Sequence, residues 1–274
     1  MKPTLFGVSV RPTVAVLFAI GLIGARDAFH RQIVRQRCGP HETGVGAVCM
    51  DVYEASVWRV PEPTTANASL VRKIRLGRAS RTDLTSGGAT PIGVDVDDYA
   101  PCARNGQDCE GDIFAVSLPS ETPSAFATWF QAQEACANSG KRLPTSAEWQ
   151  AGASGTPDPG TDDGTTDCAI RSDRPSPTGE RSRCVSARGA FDMAGNLAEW
   201  VADWVAAPSA CPGWASFSDD AMCLAGASAT ENSPGALVRG GAFAALGGQG
   251  AGPFSIVVFP PFRSVIFVGF RCVR

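Results

Sequence analysis

Oxygen-bearing side chains stand close together in residues 189–204. Asp192, Asn196 and Glu199 supply carboxylate and amide oxygens, and Gly195 allows a sharp backbone turn between them. Calcium accepts carboxylates, amide oxygens and backbone carbonyls in a single site. These residue types and their spacing therefore suit a hard cation such as calcium.

The same residues also fit the beginning of a helix, without any metal. Asn196 could cap such a helix, with Glu199 at its third position. Trp200 and Trp204 are four residues apart, so they would share one buried face of that helix. The residues alone favour this interpretation over the calcium site.

The ten cysteines favour disulfides over a metal centre. The sequence has no C-x-x-C motif and only two histidines, His30 and His41, which makes zinc or iron–sulfur ligation a poor explanation. An even number of cysteines is typical of proteins that fold in an oxidising compartment. Sequence alone leaves the connectivity open. The cysteines fall into spaced pairs, Cys38 with Cys49, Cys102 with Cys109, Cys168 with Cys184 and Cys211 with Cys223, while Cys136 and Cys272 remain.

Local signals predict two helices and several short strands. Thr128 with Gln131, and Thr145 with Glu148, form capping boxes that predict helices over WFQAQEACAN and SAEWQAGA. Strands are predicted within 49–60, 113–118, 237–243 and 265–274.

Two long stretches are predicted to be loops. Residues 61–101 lose hydrophobic periodicity and are rich in turn residues. Residues 154–188 are polar, and the cysteines within them are expected to staple a long loop. Because 30 glycines and 20 prolines accompany only 19% charged residues, we expect a loop-rich globular protein rather than a disordered one.

Residues 1–25 resemble an export signal. Lys2 and Arg11 precede an apolar run at 13–25 that is short for a membrane span and suits a signal peptide. The arginines that follow could instead retain the segment as a membrane anchor. We therefore expect a periplasmic or secreted protein, with an N-terminally anchored protein as the alternative and a cytosolic one as the least favoured.

The charge pattern limits the possible partners. The formal net charge is −3 and no basic stripe is evident, so nucleic acid is not expected. Membrane contact is expected only through residues 1–25, if they are not cleaved.

Five motifs occur in an order that identifies a family. They are CMDVYEAS at 49–56, GKRLPTSAEWQ at 140–150, GAFDMAGNLAEW at 189–200, LVRGGAF at 237–243 and GFRCVR at 269–274. Together they resemble the formylglycine-generating enzyme, or sulfatase-modifying factor, family. The resemblance implies one α+β domain of the C-type-lectin-like kind over residues 26–274, loop-rich and stapled by disulfides.

The resemblance also implies a structural calcium and one long-range disulfide. In the family, the positions that match Asp192, Gly195, Asn196, Leu197 and Glu199 hold calcium, with backbone carbonyls at the Gly195 and Leu197 positions. Asp192 replaces a family asparagine and should preserve the site. The implied disulfide joins Cys136 on the first capped helix to Cys272 near the C-terminus, beside the four local pairs.

The family's catalytic metals are not expected here. Its formylglycine generators hold copper through two cysteines shortly after an R-G-G-S bend, whereas residues 242–262 contain no cysteine. Its iron-dependent branch uses three histidines and an added helical domain, and this chain has two histidines and no such domain. We therefore expect neither copper nor iron.

Three functions remain open. The favoured one is an exported, non-catalytic binding or scaffold protein with a protein or peptide partner that the sequence does not identify. The second is a family oxidoreductase with a reorganised metal site. The third is a structural subunit that its N-terminus anchors to a membrane complex.

Overall fold

The computed structural model describes residues 38–109, 111–205, 235–244 and 250–274. They belong to one compact unit, Cys38–Arg274. The signal peptide or anchor expected at 1–25, and the domain start expected at residue 26, lie outside the described residues and stay predictions.

The described residues form short strands and four helices. The strands are β1 (Glu42–Val45), β2 (Val48–Asp51), β3 (Ala55–Arg59), β4 (Thr90–Ile92), β5 (Ile113–Ser117), β6 (Ala198–Val205), β7 (Gly235–Arg239), β8 (Ile256–Phe259) and β9 (Val268–Phe270). The helices are α1 (Ala68–Arg75), α2 (Arg81–Ser86), α3 (Trp129–Asn138) and α4 (Ser146–Gly152).

The strands pair into three sheets. β1 and β2 form an antiparallel hairpin, and β4, β3 and β5 form an antiparallel sheet in that order. The third sheet has the order β8-β7-β6-β9, in which only the β6–β9 pair is parallel. In this sheet β6 is central, and it carries the C-terminal half of the candidate calcium stretch.

Alternation along β3 separates two hydrophobic cores. Val57 packs into the main core, which contains residues of β3, β5, α3, β6, β7 and β9. Its neighbour Trp58 points to the opposite face, where α1 and α2 pack. A third cluster around Met50 and Trp149 lies beside α4. The candidate site is therefore built on elements that are buried on several sides.

The capping boxes predicted from the sequence are present. Thr128 Oγ1 accepts a hydrogen bond from the Gln131 backbone N–H at 3.2 Å, and Gln131 Oε1 accepts one from the Thr128 N–H at 3.0 Å. The equivalent box of Thr145 and Glu148 begins α4. Both predicted helices are thus confirmed.

Two predictions of local structure were wrong. Residues 61–101 are not turns throughout, since α1, α2 and β4 lie there; α1 buries Leu70, Val71 and Ile74 against the second core. Residues 198–205 form strand β6 rather than the helix that Asn196 and Glu199 suggested. In both places tertiary packing overrides a weak local signal.

No helix among the described residues has the length and apolar character needed to cross a bilayer.

Four disulfides join cysteines of the described residues. Three are the local pairs Cys38–Cys49, Cys102–Cys109 and Cys168–Cys184. The fourth is Cys136–Cys272, which ties α3 to the segment after β9. These pairings agree with the expected ones, whereas Cys211 and Cys223 lie outside the described residues.

Removal of the long-range disulfide should destabilise the domain most. Cys136–Cys272 closes a loop of 136 residues, so a Cys136→Ala/Cys272→Ala variant should lose up to about 5 kcal/mol in the chain-entropy model. Cys102–Cys109 spans 7 residues, and its double alanine variant should lose only about 2 kcal/mol. Urea unfolding measures both losses, and non-reducing peptide mapping identifies the pairs. Ten free thiols in freshly purified protein would contradict the disulfides and the expected export.

Candidate functional site

A tight turn before β6 brings the predicted calcium residues together. Asp192, Gly195 and Asn196 all have positive φ values, of 58°, 70° and 54°. The Gly195 N–H donates to the Gly240 carbonyl at 3.0 Å, and the Asn196 N–H donates to the Ala169 carbonyl at 2.9 Å. A Cβ at position 195 would collide with that Ala169 carbonyl, so only glycine fits there.

Both polar atoms of the Asn196 side chain form hydrogen bonds inside the protein. Its Oδ1 accepts a hydrogen bond from the Ser176 N–H at 2.8 Å, and its Nδ2 donates to Glu54 Oε2. The Leu197 N–H donates to the other Glu54 oxygen at 2.9 Å. Asn196 therefore bridges the loop at 176 and the end of the β2–β3 turn instead of capping a helix.

Glu199 is paired with a buried guanidinium. Arg271 Nε lies 3.0 and 2.8 Å from the two Glu199 oxygens, and Nη2 lies 2.6 Å from Oε1. The indole N–H of Trp149 also donates to Glu199 Oε2 at 2.6 Å. Arg271 and Glu199 side chains are 0% and 1% exposed, so this ion pair is shielded from solvent screening.

Negative charge exceeds positive charge around this pair. Glu54, Asp192 and Glu199 are three buried carboxylates beside the Arg271 guanidinium. Arg181 also acts on Asp192, but it is paired with Asp162. Burial is the largest cause that raises the pKa of Asp192 from 3.8 to about 7, although the Gly179 N–H and Arg271 lower it. Burial, followed by repulsion from Asp192 and Glu199, raises the pKa of Glu54 well above 4.5. A proton or a cation would relieve this excess.

The donor set suits calcium chemically, but the hydrogen bonds compete with it. Asp192 Oδ2 accepts from the Gly179 N–H at 2.8 Å, and both Glu199 oxygens face Arg271. A cation would have to share Glu199 with Arg271 or displace it. Within the described part of the chain, no group of three His, Cys, Asp or Glu side chains is arranged to hold a metal ion. The predicted calcium site has only two such side chains, because its other ligands are two backbone carbonyls and one amide. Calcium at this site stays a prediction.

Two residues that complete the cluster are absent from the predicted calcium site. Glu54 lies in the motif at 49–56 and Arg271 in the motif at 269–274, and neither is a predicted ligand. An arginine inside an otherwise apolar C-terminal strand was the available signal, because a buried charge needs a partner. The acidic partner lies 72 residues away in the sequence, so local patterns could not name it.

An apolar surface lies at β8 and in the residues that follow it. Residues 242–262 contain no cysteine, and residues 245–249 of this segment lie outside the described part. Strand β8 is half-buried along its length and lies at the edge of its sheet. Beyond it, Phe262 is 60% and Ile266 is 49% exposed. The described residues after β8 therefore present exposed apolar side chains.

Aromatic rings at the start of α3 extend this surface. Trp204 packs edge-on against Trp129, with ring centroids 5.1 Å apart, and against Phe130 at 5.9 Å. The Trp129 backbone N–H donates to the Pro261 carbonyl at 2.9 Å, which joins the rings to the segment after β8. We call this surface the apolar face; it consists of Trp129, Phe130, Trp204, Phe259, Phe262 and Ile266.

Comparison with known proteins gives one family and several distant folds. A model of the sulfatase-modifying factor enzyme 1-like domain family matches residues 94–274. The Major Tropism Determinant P3c variant is 16% identical with a TM-score of 0.44, covering 85% of this chain and 52% of its own. CarF is 14% identical with a TM-score of 0.41, covering 83% and 86%. Treponema denticola variable protein 1 is 16% identical with a TM-score of 0.37, covering 85% and 97%.

This chain thus spans about half the length of the Major Tropism Determinant variants, at 52%. No curated protein matches it.

Loss of the buried guanidinium should destabilise the protein severely. An Arg271→Met variant leaves the acidic cluster without its counter-charge, and breaking a buried pair in this way costs about 3–5 kcal/mol. Urea unfolding measures this cost. The control Arg188→Met removes an exposed arginine and should change stability by about 0.5 kcal/mol or less.

A double variant, Arg271→Met with Glu199→Gln, should recover part of the loss because one unpaired charge is also removed. A loss below about 1 kcal/mol for Arg271→Met alone would show that the pair does not hold the fold together.

Proposed function

The chain belongs to the sulfatase-modifying factor enzyme 1-like domain family, and we propose that it is an exported, non-catalytic binding protein. In this proposal the α+β, C-type-lectin-like domain presents the apolar face to a protein or peptide partner. The catalytic chemistry of the family is not part of its role.

The lack of cysteine in residues 242–262 carries this proposal. Thiolate ligands select copper(I). The segment expected to supply the thiolates, residues 242–262, contains no cysteine. Eight cysteines of the described residues are already joined in disulfides. Cys211 and Cys223 lie outside the described residues, so a rearranged site built on them is the competing hypothesis.

The form of the apolar face supports protein binding. Phe262, Ile266 and Trp204 are three of the large apolar residues that stay exposed, at 60%, 49% and 39%. Aromatic residues dominate the energetically important centres of protein interfaces because they bury a large area with few rotatable bonds. Arg263 packs over the Phe259 ring at 5.1 Å and adds a charged group at the edge of this surface.

The disulfides support the proposed location. Four bridges within one domain are typical of an oxidising compartment, as in the periplasm or outside the cell. Residues 1–25 supply either the export signal or an anchor. A membrane-anchored subunit would use the same binding face. The exported protein and the anchored subunit therefore differ only in whether residues 1–25 are cleaved.

We also propose a structural calcium ion at Asp192, Gly195, Asn196, Leu197 and Glu199. The excess of buried carboxylates supports a cation there, since Glu54 and Asp192 both have raised pKa values. The ion would stabilise the turn before β6 and would take no part in binding the partner.

Charges placed on the apolar face should abolish partner binding. A Phe262→Asp/Ile266→Asp variant puts carboxylates into the proposed interface, and loss of hot-spot contacts should weaken binding tenfold or more, at about 1.4 kcal/mol per factor of ten. Affinity capture from the native envelope fraction, with quantitative mass spectrometry, measures enrichment of the partner. The matched control, Val94→Asp/Val96→Asp, alters residues that are 64% and 40% exposed elsewhere and should retain the partner.

Two outcomes would contradict the non-catalytic role. One is equal enrichment for both double variants, which would place the interface elsewhere. The other is turnover: copper-loaded protein, given oxygen and a sulfatase-motif peptide, would convert the peptide's cysteine. If that turnover vanished in Cys211→Ser or Cys223→Ser, the competing hypothesis of a rearranged copper site would be correct.

Chelation should lower the melting temperature if calcium binds. A ligand present at a hundred times its dissociation constant stabilises the native state by about 2.7 kcal/mol. EDTA should remove this contribution, and added calcium should restore it. In Glu199→Ala the melting temperature should no longer respond to either reagent. An unchanged wild-type melting temperature would contradict the proposed calcium ion.

A further inference from the structure

A run of basic residues follows the first turn of α1. Residues 72–81 contain five basic residues and no acidic one, in a chain whose net charge is −3. All five are exposed. We call this surface the basic face; it consists of Arg72, Lys73, Arg75, Arg78 and Arg81. This run lies in the stretch that the sequence predicts to be turns, where no basic stripe was expected.

The geometry of α1 gathers three of these charges, Arg72, Lys73 and Arg75, on one side. At 3.6 residues per turn, residues 72, 73, 75 and 76 fall within an arc of about 160°. Leu70, Val71 and Ile74 occupy the opposite side and are buried. Leu76 lies within the basic arc and is 46% exposed. The outward side of α1 therefore combines several positive charges with one exposed apolar side chain.

Only part of this charge is neutralised. Lys73 pairs with Asp83 at 2.5 Å, and Arg81 pairs with Glu121 at 3.2 Å. Arg72 and Arg78 make no side-chain hydrogen bond or ion pair to any residue in the described ranges. The basic face thus keeps a positive excess that is accessible to an external anion.

The chain enters the domain beside the basic face. A Cβ at Gly39 would lie 3.6 Å from the Gly77 carbonyl. Pro40 and His41 share a cavity of about 340 Å³ with residues 78–81. The preceding residues carry the apolar run at 13–25 and further arginines at 26, 31, 35 and 37. Residues 39–41 therefore lie next to the exposed positive charges of the domain.

We propose that the basic face binds the headgroups of anionic lipids. Lys and Arg side chains close to an anionic bilayer are attracted to it, and the attraction is screened by salt. The exposed Leu76 among the charges suits the boundary between headgroups and acyl chains. Lipid contact at the basic face does not involve the apolar face. A test of lipid binding is therefore independent of the proposed function.

Vesicle flotation of the full chain tests this inference. The apolar run at 13–25 can insert into any vesicle, so the informative quantity is the extra binding when phosphatidylglycerol is added to phosphatidylcholine. We expect phosphatidylglycerol to increase binding and salt to remove the increase. In Arg72→Gln/Arg78→Gln the increase should fall on the order of tenfold. Arg104→Gln/Arg188→Gln removes two exposed arginines from other loops and should leave it unchanged.

A charge-conserving variant separates lipid binding from a folding effect. Arg72→Lys/Arg78→Lys should keep the phosphatidylglycerol-dependent increase, whereas a purely structural role of the arginines would remove it. Equal binding to both vesicle types, or equal loss in the face variant and its control, would overturn the proposal. So would salt-sensitive binding to duplex DNA without any preference for phosphatidylglycerol vesicles.

Discussion

The guanidinium of Arg271 connects segments that are far apart in the chain. All five of its N–H donors can be satisfied: Nε and Nη2 contact Glu199, Nη2 also donates to the Phe191 carbonyl, and Nη1 donates to the carbonyls of Asp51 and Val52. Burial of a charge costs several kcal/mol, which such complete pairing offsets. The end of β2, the turn before β6 and the C-terminal segment therefore have one mutually compatible arrangement.

This arrangement also fixes the support of the apolar face. β6 carries Glu199 towards the cluster and Trp200 into the main core, where its ring lies 6.4 Å from Phe259. The Gly195 N–H and the Gly252 N–H both donate to the Gly240 carbonyl, at 3.0 Å each. The bend that begins the C-terminal segment is thus tied to the turn of the charge cluster. A surface held in this way loses little conformational entropy on binding, which favours affinity.

The sequence predicts the structure correctly where the determining contacts are local. Thr128 and Thr145 begin helices through hydrogen bonds to residues three positions later, so the sequence was sufficient to predict both capping boxes. Asn196 and Glu199 have the same spacing as a capping box, yet their partners are Glu54 and Arg271, at separations of 142 and 72 residues. Because those partners attract both side chains into the interior, the backbone continues as the central strand. Spacing alone could not distinguish the true capping boxes from the pair of Asn196 and Glu199. The fold could be predicted from the family motifs, whereas the charge cluster became visible only in the structure.

Site-specific photo-crosslinking tests the binding role of the apolar face most directly. A benzophenone amino acid placed at position 262, in full-length protein in its native cells, should crosslink to one defined protein upon illumination, because Phe262 is 60% exposed and belongs to the proposed interface. The same group at position 94, where Val94 is 64% exposed, should give no such product. Absence of a crosslink at 262, or the same product from both positions, would contradict the account.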